Sequence, residues 1–242
     1  GTPALPMDIN YVKGGMWDMH HDWDMGNDIS LKTDVFYQKM RHLMSNNILR
    51  TPANAMTNRT KVEAGGISMA LAMPFNSGQL TVGVDGDQSN HDANSTMTMM
   101  GATSATNYFN KVERDRYSIF TEWAGAVSED ISVELGARYT HTWSDAGDVS
   151  SEIAMGATSR TNARNAFNAL ERTKNYNLVD LVAELQFNAS SELDVNVGVA
   201  RKNRAPTYQE LYLWYGSAAN AGFADGKTYI GDTGLEAETA YQ

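Results

Sequence analysis

His42 and Met44 stand two residues apart at the end of a stretch, Leu31 to Met44, in which apolar and polar residues alternate. In an extended strand, residues i and i+2 share a face with side chains about 7 Å apart, so imidazole and thioether can converge on one ion. The same register puts Met40, Gln38 and Asp34 on that face, and Leu31, Val35 and Tyr37 on the other. Where the Leu31 face meets lipid, His42 and Met44 point into a lumen. Imidazole with thioether is a donor set that selects copper over hard cations, with the Met sulfur favouring Cu(I). The plainer reading is an interfacial histidine beside a methionine that fills space, and spacing alone leaves both open.

A second group of soft donors, Met97, Met99 and Met100, falls with His91 and Asp92 in the Ser/Thr/Asn-rich stretch from Asn90 to Lys111. We expect a long loop there. It is either a weaker metal-collecting patch or a flap in which Met serves as adaptable packing. His20 and His21 with Asp18, Asp22 and Asp24 lie close to a short turn and read as a solvated rim. Nothing resembles a nucleophile elbow, an HExxH helix or a Gly-rich turn from strand into helix, so no catalytic group is identified.

Composition narrows the chemistry further. With Met 13 and Cys 0, soft-metal binding must use thioether and imidazole, because thiolates and disulfides are unavailable. A net charge of −10 is the wrong sign for tracking a phosphate backbone, which excludes nucleic acid as the expected partner. No run of 18 apolar residues occurs, so no membrane-spanning helix is expected.

The elements that must position these residues are strands. Period-2 alternation is clearest from Ile131 to Thr142, where Ile131, Val133, Leu135, Ala137 and Tyr139 oppose Ser132, Glu134, Gly136, Arg138 and Thr140. It recurs around Leu31, Leu80, Tyr117, Val179 and Leu193, giving about eight strands and the start of another. Short connections near 22–28, 74–78, 128–130 and 189–191 take turns with long ones near 45–57, 90–111, 146–173 and 205–233. A short helix is expected within Arg160 to Arg172, with Phe167 and Leu170 as its apolar contacts. Tight turns at one rim, long loops at the other and strands of about 12 to 15 residues describe an all-β, antiparallel transmembrane β-barrel. Polar Glu134, Arg138, Asp194 and Asn196 should line its lumen, and Leu135, Val195 and Val197 should face lipid. Gly1 to Pro6 reads as a loop joined midway and Leu235 to Gln242 as a strand begun. Residues 1–242 are therefore expected to be part of one barrel domain of a longer chain.

Two motifs carry a resemblance. Asn203 to Tyr212 reads Asn-Arg-Ala-Pro-Thr-Tyr-Gln-Glu-Leu-Tyr, and Gly231 to Gln242 reads Gly-Asp-Thr-Gly-Leu-Glu-Ala-Glu-Thr-Ala-Tyr-Gln. They resemble two landmarks of TonB-dependent outer-membrane receptors. One is Arg-x-Pro-x-x-x-Glu-Leu-Tyr at a strand exit, matched by Arg204, Pro206, Glu210, Leu211 and Tyr212; the other is Leu-x-Pro-Glu-Thr at the next strand's start, with Ala237 in place of Pro. More narrowly, Leu5-Pro6-Met7-Asp8, His42-Leu43-Met44 and the run Ala224 to Gly231 resemble the copper-receptor branch. The resemblance implies a receptor in the bacterial outer membrane, in contact with its lipid and driven by the TonB complex through a plug domain outside this sequence. It also implies copper, bare or chelated, held by the His-x-Met pair together with a Cys/Met pair of the plug. The competing readings are a receptor for a siderophore or another chelate, a surface-binding barrel with an inert lumen, and a barrel enzyme needing a catalytic group at its rim.

Overall fold

A computed structural model describes residues 7–152, 158–217 and 227–242. Eight long strands follow one another: β1 (Asp8–Gly26), β2 (Ile29–Ser45), β3 (Asn54–Phe75), β4 (Gly78–Met99), β5 (Ala102–Ala126), β6 (Ile131–Asp145), then, after a two-residue strand β7 (Ser151–Glu152) and a helix α1 (Thr158–Asn168), β8 (Lys174–Ser190) and β9 (Leu193–Arg204). A short helix α2 (Tyr208–Tyr212), a small pair β10 (Gly216–Ser217) and β11 (Thr228–Tyr229), and β12 (Glu238–Tyr241) complete the order. The main sheet runs β1-β2-β3-β4-β5-β6-β8-β9-β12, each neighbour antiparallel, with β7 attached to β5. Among the described residues no helix is long and apolar enough to cross a membrane.

Directly opposed residues of antiparallel strands share a face, so the register sorts every side chain. One continuous row is Thr33, Met69, Val84, Ile119, Tyr139 and Val179, and the next is Leu31, Leu71, Val82, Thr121, Ala137 and Leu181. The opposite face carries Asp34, Ser68, Asp85, Ser118 and Thr140. Leu135, Val195 and Val197 fall on the apolar face, whereas Glu134, Arg138, Asp194 and Asn196 fall on the polar one, as the alternation predicts. Aromatic rows bracket the apolar band, with Trp23, Phe75, Trp123 and Phe187 towards the short turns and Trp17, Tyr37, Tyr117 and Tyr139 towards the other end. Such girdles mark the two interfaces of a bilayer-spanning barrel. The polar face lines a pocket that reaches from Asp34 on β2 to Asn203 and Arg204 at the end of β9, so the sheet curls around it.

Two features differ from the sequence expectations. The stretch Asn90 to Lys111 is not a loop: β4 and β5 run on as a hairpin closed by Met100 (φ 50°) and Gly101 (φ 81°). Positive φ at both central residues is what a tight hairpin turn requires, and glycine adopts it without strain. Beyond the bilayer both faces of a strand meet water, so Ser, Thr and Asn on either side disguise a strand as a loop. For the same reason β3, β4 and β5 reach 22, 22 and 25 residues, well beyond the expected length. The expected helix is present but ends at Asn168. Arg172 donates to the carbonyls of Asn168 (2.7 Å) and Phe167 (3.3 Å) at its C-terminus, and Leu170 swings outward while Phe167 packs beside Val149 and Trp214. Buried apolar side chains thus collect where loops pack on the sheet, not between layers.

The polar face is tied together in steps across strands. Phe120 on β5 lies over its direct partner Gly83 on β4, where a Cβ would sit 2.3 Å from its ring. The Arg138 guanidinium lies 4.6 Å from the same ring and reaches on to Asp85, an ion pair that links β6 to β4 above β5. Gly83→Ala should therefore lower the unfolding midpoint of the detergent-solubilised receptor, at a cost of about 1–3 kcal/mol, and adding Phe120→Leu should recover part of the loss. A wild-type midpoint for Gly83→Ala would refute the packing described.

Candidate functional site

The alternation of β2 places Met40, His42 and Met44 on the polar, lumenal face near its outer end. Their direct neighbours on β3 are Val62, Thr60 and Asn58, and on β1 Gly14, Val12 and Ile9. His42 is half-buried, and its Nε2 is inaccessible and has no hydrogen-bond partner. Asn58, opposite Met44, donates through Nδ2 to the Met7 sulfur at 3.3 Å, and its Oδ1 is likewise buried without a partner. Met7 itself is buried. The structure therefore adds Met7 and Asn58 to the His42–Met44 pair. Met7 stands within the Leu5-Pro6-Met7-Asp8 motif, but its sulfur meets Asn58 only through chain pairing 51 residues apart, which no local pattern reveals. Leu5 and Pro6, like Ala224 to Gly226 of the last loop motif, lie outside the described residues.

The second candidate group is not brought together. His91 is on the lumenal face opposite Val62, whereas Asp92, the next residue, points outward opposite Lys61 and accepts from the Lys111 backbone N–H at 2.9 Å. The His91 ring stacks on Tyr208 at 4.1 Å and 15°, with Phe109 packed edge-on to the tyrosine. Met97 lies opposite Met56, Met99 opposite Asn54, and Met100 is 97% exposed at the hairpin tip. His91 and Met97 are six residue steps apart along the strand, roughly 20 Å, so one ion cannot touch both. The His20 cluster is exposed to solvent and lies close to the β1–β2 turn. His20 lies on the lumenal wall, with Nδ1 2.6 Å from Asp34 and Nε2 3.1 Å from Asp22, so both ring nitrogens are engaged by carboxylates. His21 faces the other way, and Asp24 accepts from the Gly26 N–H in the turn. Among the described residues no group of three or more His, Cys, Asp or Glu could hold a metal ion.

The motif at the end of β9 is a latch that folds α2 onto the lumenal wall. Pro206 cannot donate to a ladder, and the strand stops at Arg204. Thr207 then caps α2: Glu210 N–H donates to its Oγ1 (3.2 Å), while Thr207 N–H donates to Glu210 Oε2 (2.7 Å), a reciprocal capping box. Arg204 clamps the Glu210 carboxylate at 2.8 and 3.1 Å and also holds Glu238 on β12 at 2.8 and 3.0 Å. The Arg204 guanidinium and the Thr207 backbone N–H hold the Glu210 carboxyl down at about 2. With the helix start fixed, Leu211 and Tyr212 bury themselves against Val112 and Ala146. The Tyr212 hydroxyl donates to the Arg172 carbonyl (2.7 Å) and meets Ser144 Oγ (2.9 Å), and burial pushes this phenol up to about 12. Gly231 passes so close that a Cβ would lie 2.5 Å from the Leu211 carbonyl, and its N–H bonds Leu213 O at 2.6 Å.

Long antiparallel strands with one apolar and one polar face, aromatic girdles and a connection latched onto the lumenal wall define an outer-membrane type of barrel. The sequence matches the family described as "TonB dependent receptor-like, beta-barrel" over residues 5–242, and the chain belongs to that family, a family of outer-membrane receptors. Among solved structures it is similar to one described as "Copper transporter OprC", with a TM-score of 0.70 and 17% identity. The match covers 86% of this chain and 33% of that one, so the sequence spans about a third of the transporter's length, and the likeness is one of fold. No curated protein matches the sequence.

The latch makes a pH-dependent contribution. A carboxyl held at about 2 when folded, against about 4.3 in an open chain, stabilises above the open-chain value and loses that stabilisation as pH falls towards 2. Glu210→Gln should therefore speed amide exchange of residues 207–214 at pH 7, with a loss of about 1 kcal/mol on the scale of a helix cap. The difference from wild type should shrink between about pH 4 and 2; equal exchange at pH 7 would remove the latch.

Proposed function

We propose that this chain is the substrate-binding wall of a TonB-dependent receptor that takes up copper, as the ion or as a loaded chelate, across the outer membrane. The observation that carries the reading is the inaccessible, unbonded Nε2 of His42 on the same lumenal face as Met44 and Met40. Buried polar atoms are rarely left without a partner unless something else supplies one. Met7 and Asn58 line the adjoining positions, so imidazole and thioether donors surround a place where thiolates are absent from the whole sequence. Such a set suits Cu(I), and the fold shared with a copper transporter agrees with that choice. Copper is the cargo here. Two or three protein ligands make a poor cage, and a plug domain inside the barrel would complete it and couple capture to the TonB complex that draws on the plug. The remaining partner is the lipid around the apolar face, and no enzymatic step is assigned.

Titration of the full-length receptor tests this. Met44→Leu removes the sulfur while keeping the volume, and should weaken Cu(I) by about tenfold or more with little change for Zn(II). His42→Ala should weaken copper binding by about tenfold or more, because it removes the imidazole donor. Both variants should keep the barrel's resistance to heat in detergent, since neither side chain meets lipid. Unchanged copper affinity in both would eliminate the site.

A further inference from the structure

The outward face of β1–β3 changes character abruptly just beyond the upper aromatic row. Trp17 and Tyr37 end the apolar band. One register step further lie Lys39 and Glu63; the next row is Lys13, Arg41 and Lys61, directly opposed on three adjacent strands; Arg59 follows. Like charges directly opposed across a sheet repel, and here three cations stand in line, each about 5 Å from the next.

The carboxylates within reach do not neutralise them. Glu63 is shared by Lys39 (3.1 Å) and Lys61 (3.9 Å) and accepts from the Tyr37 hydroxyl (2.6 Å). Asp92 lies beside Lys61 on β4, with one oxygen occupied by the Lys111 N–H. Lys13, Arg41 and Arg59 are exposed, and among the described residues none of the three takes part in an ion pair. Further along the sheet the Lys39–Glu63 row continues as Asn90 and Glu113, the Lys61 row as Asp92 and the Arg59 row as Asn94 and Asn107, so the cations form a patch and not a belt. All this occurs in a chain whose overall charge is −10.

We propose that this face is a docking site for phosphorylated, anionic lipid headgroups of the surrounding leaflet. The level fits, because side chains one to three register steps beyond an aromatic girdle sit in the headgroup layer. The chemistry fits as well: guanidinium groups of Arg41 and Arg59 offer bidentate donors to phosphate oxygens, and the flanking lysines add point charges. An anion placed over Arg41 relieves the repulsion of the row, so the lipid also stabilises the pairing of β1, β2 and β3.

The experiment uses the full-length receptor, delipidated in a nonionic detergent and titrated with bisphosphorylated lipid A in mixed micelles. Bound lipid is counted by native mass spectrometry and the unfolding midpoint followed in parallel. Wild type should retain lipid A and gain in midpoint, and the effect should fade as salt is raised. The triple variant Arg41→Gln, Arg59→Gln, Lys61→Gln should need at least tenfold more lipid A for half-saturation. Each cation near an anionic lipid surface is worth roughly a factor of five. Arg41→Gln alone, which leaves the flanking cations in place, should raise the half-saturating concentration by about fivefold and reports even where the triple variant does not fold. Inorganic phosphate at the same concentration, and zwitterionic phosphatidylethanolamine, should do nothing. Equal lipid A retention by wild type and Arg41→Gln, or the same midpoint gain with inorganic phosphate or phosphatidylethanolamine, would overturn the proposal.

Discussion

Everything in this structure follows from the need to pair backbone N–H and C=O groups where no water can reach them. In lipid only helices and hydrogen-bonded sheets meet that need, and in this family of barrels crossing falls to strands. Pairing in turn enforces the pleat. From β1 to β9 the ladder keeps its register almost unbroken, with shifts at Ile9/Tyr11, Asp24/Gly26, around Ala93 and at Asn188/Ser190. A one-residue slip would exchange the lipid and lumenal sets of a whole strand. The pairing therefore decides, without further specification, that Val197 meets acyl chains and Arg138 meets water.

The same constraint ends at the aromatic girdle, and the sequence uses the freedom that follows. Above it the strands continue, but their outward residues are mostly charged, amide or hydroxyl side chains, and the inner wall can receive other parts of the chain. Arg204 and Glu210 set the start of α2, Leu211 and Tyr212 dock it on Val112, and Tyr208 covers His91. The wall of β2 and β3 that carries Met40, His42 and Met44 is left beside this cover, with His42 Nε2 and Asn58 Oδ1 lacking partners within the protein. A rigid frame, a docked loop and two unsatisfied polar atoms are the ingredients of a site that waits for a ligand.

Much of this was legible in the residues, because period 2 is a strong signal wherever one face is apolar. The faces of β6, β8 and β9 were readable from Ile131, Val179 and Leu193 onward, and Met40, His42 and Met44 were correctly placed on one wall. The signal fails where both faces are wet. The outer halves of β4 and β5 read as a loop, and His91, Asp92 and the three methionines after them read as one group although strand geometry spreads them apart. Sequence distance hides other contacts: Met7 meets Asn58, and Arg204 joins Glu238, only because intervening strands bring them into register. The Arg204-x-Pro206 motif is a landmark in the sequence, yet its work as a helix-capping clamp depends on Glu210 and on Glu238, 34 residues away.

The central claim is that the register of β2 builds a lumenal site of imidazole and thioether donors for copper. X-ray absorption at the copper edge of the Cu(I)-loaded, full-length receptor tests it without relying on affinity. A first shell containing both sulfur and imidazole nitrogen, with the nitrogen contribution reduced by His42→Ala and the sulfur contribution by Met44→Leu, is the predicted result. A shell of oxygen and nitrogen alone, or one that neither substitution alters, would contradict the account.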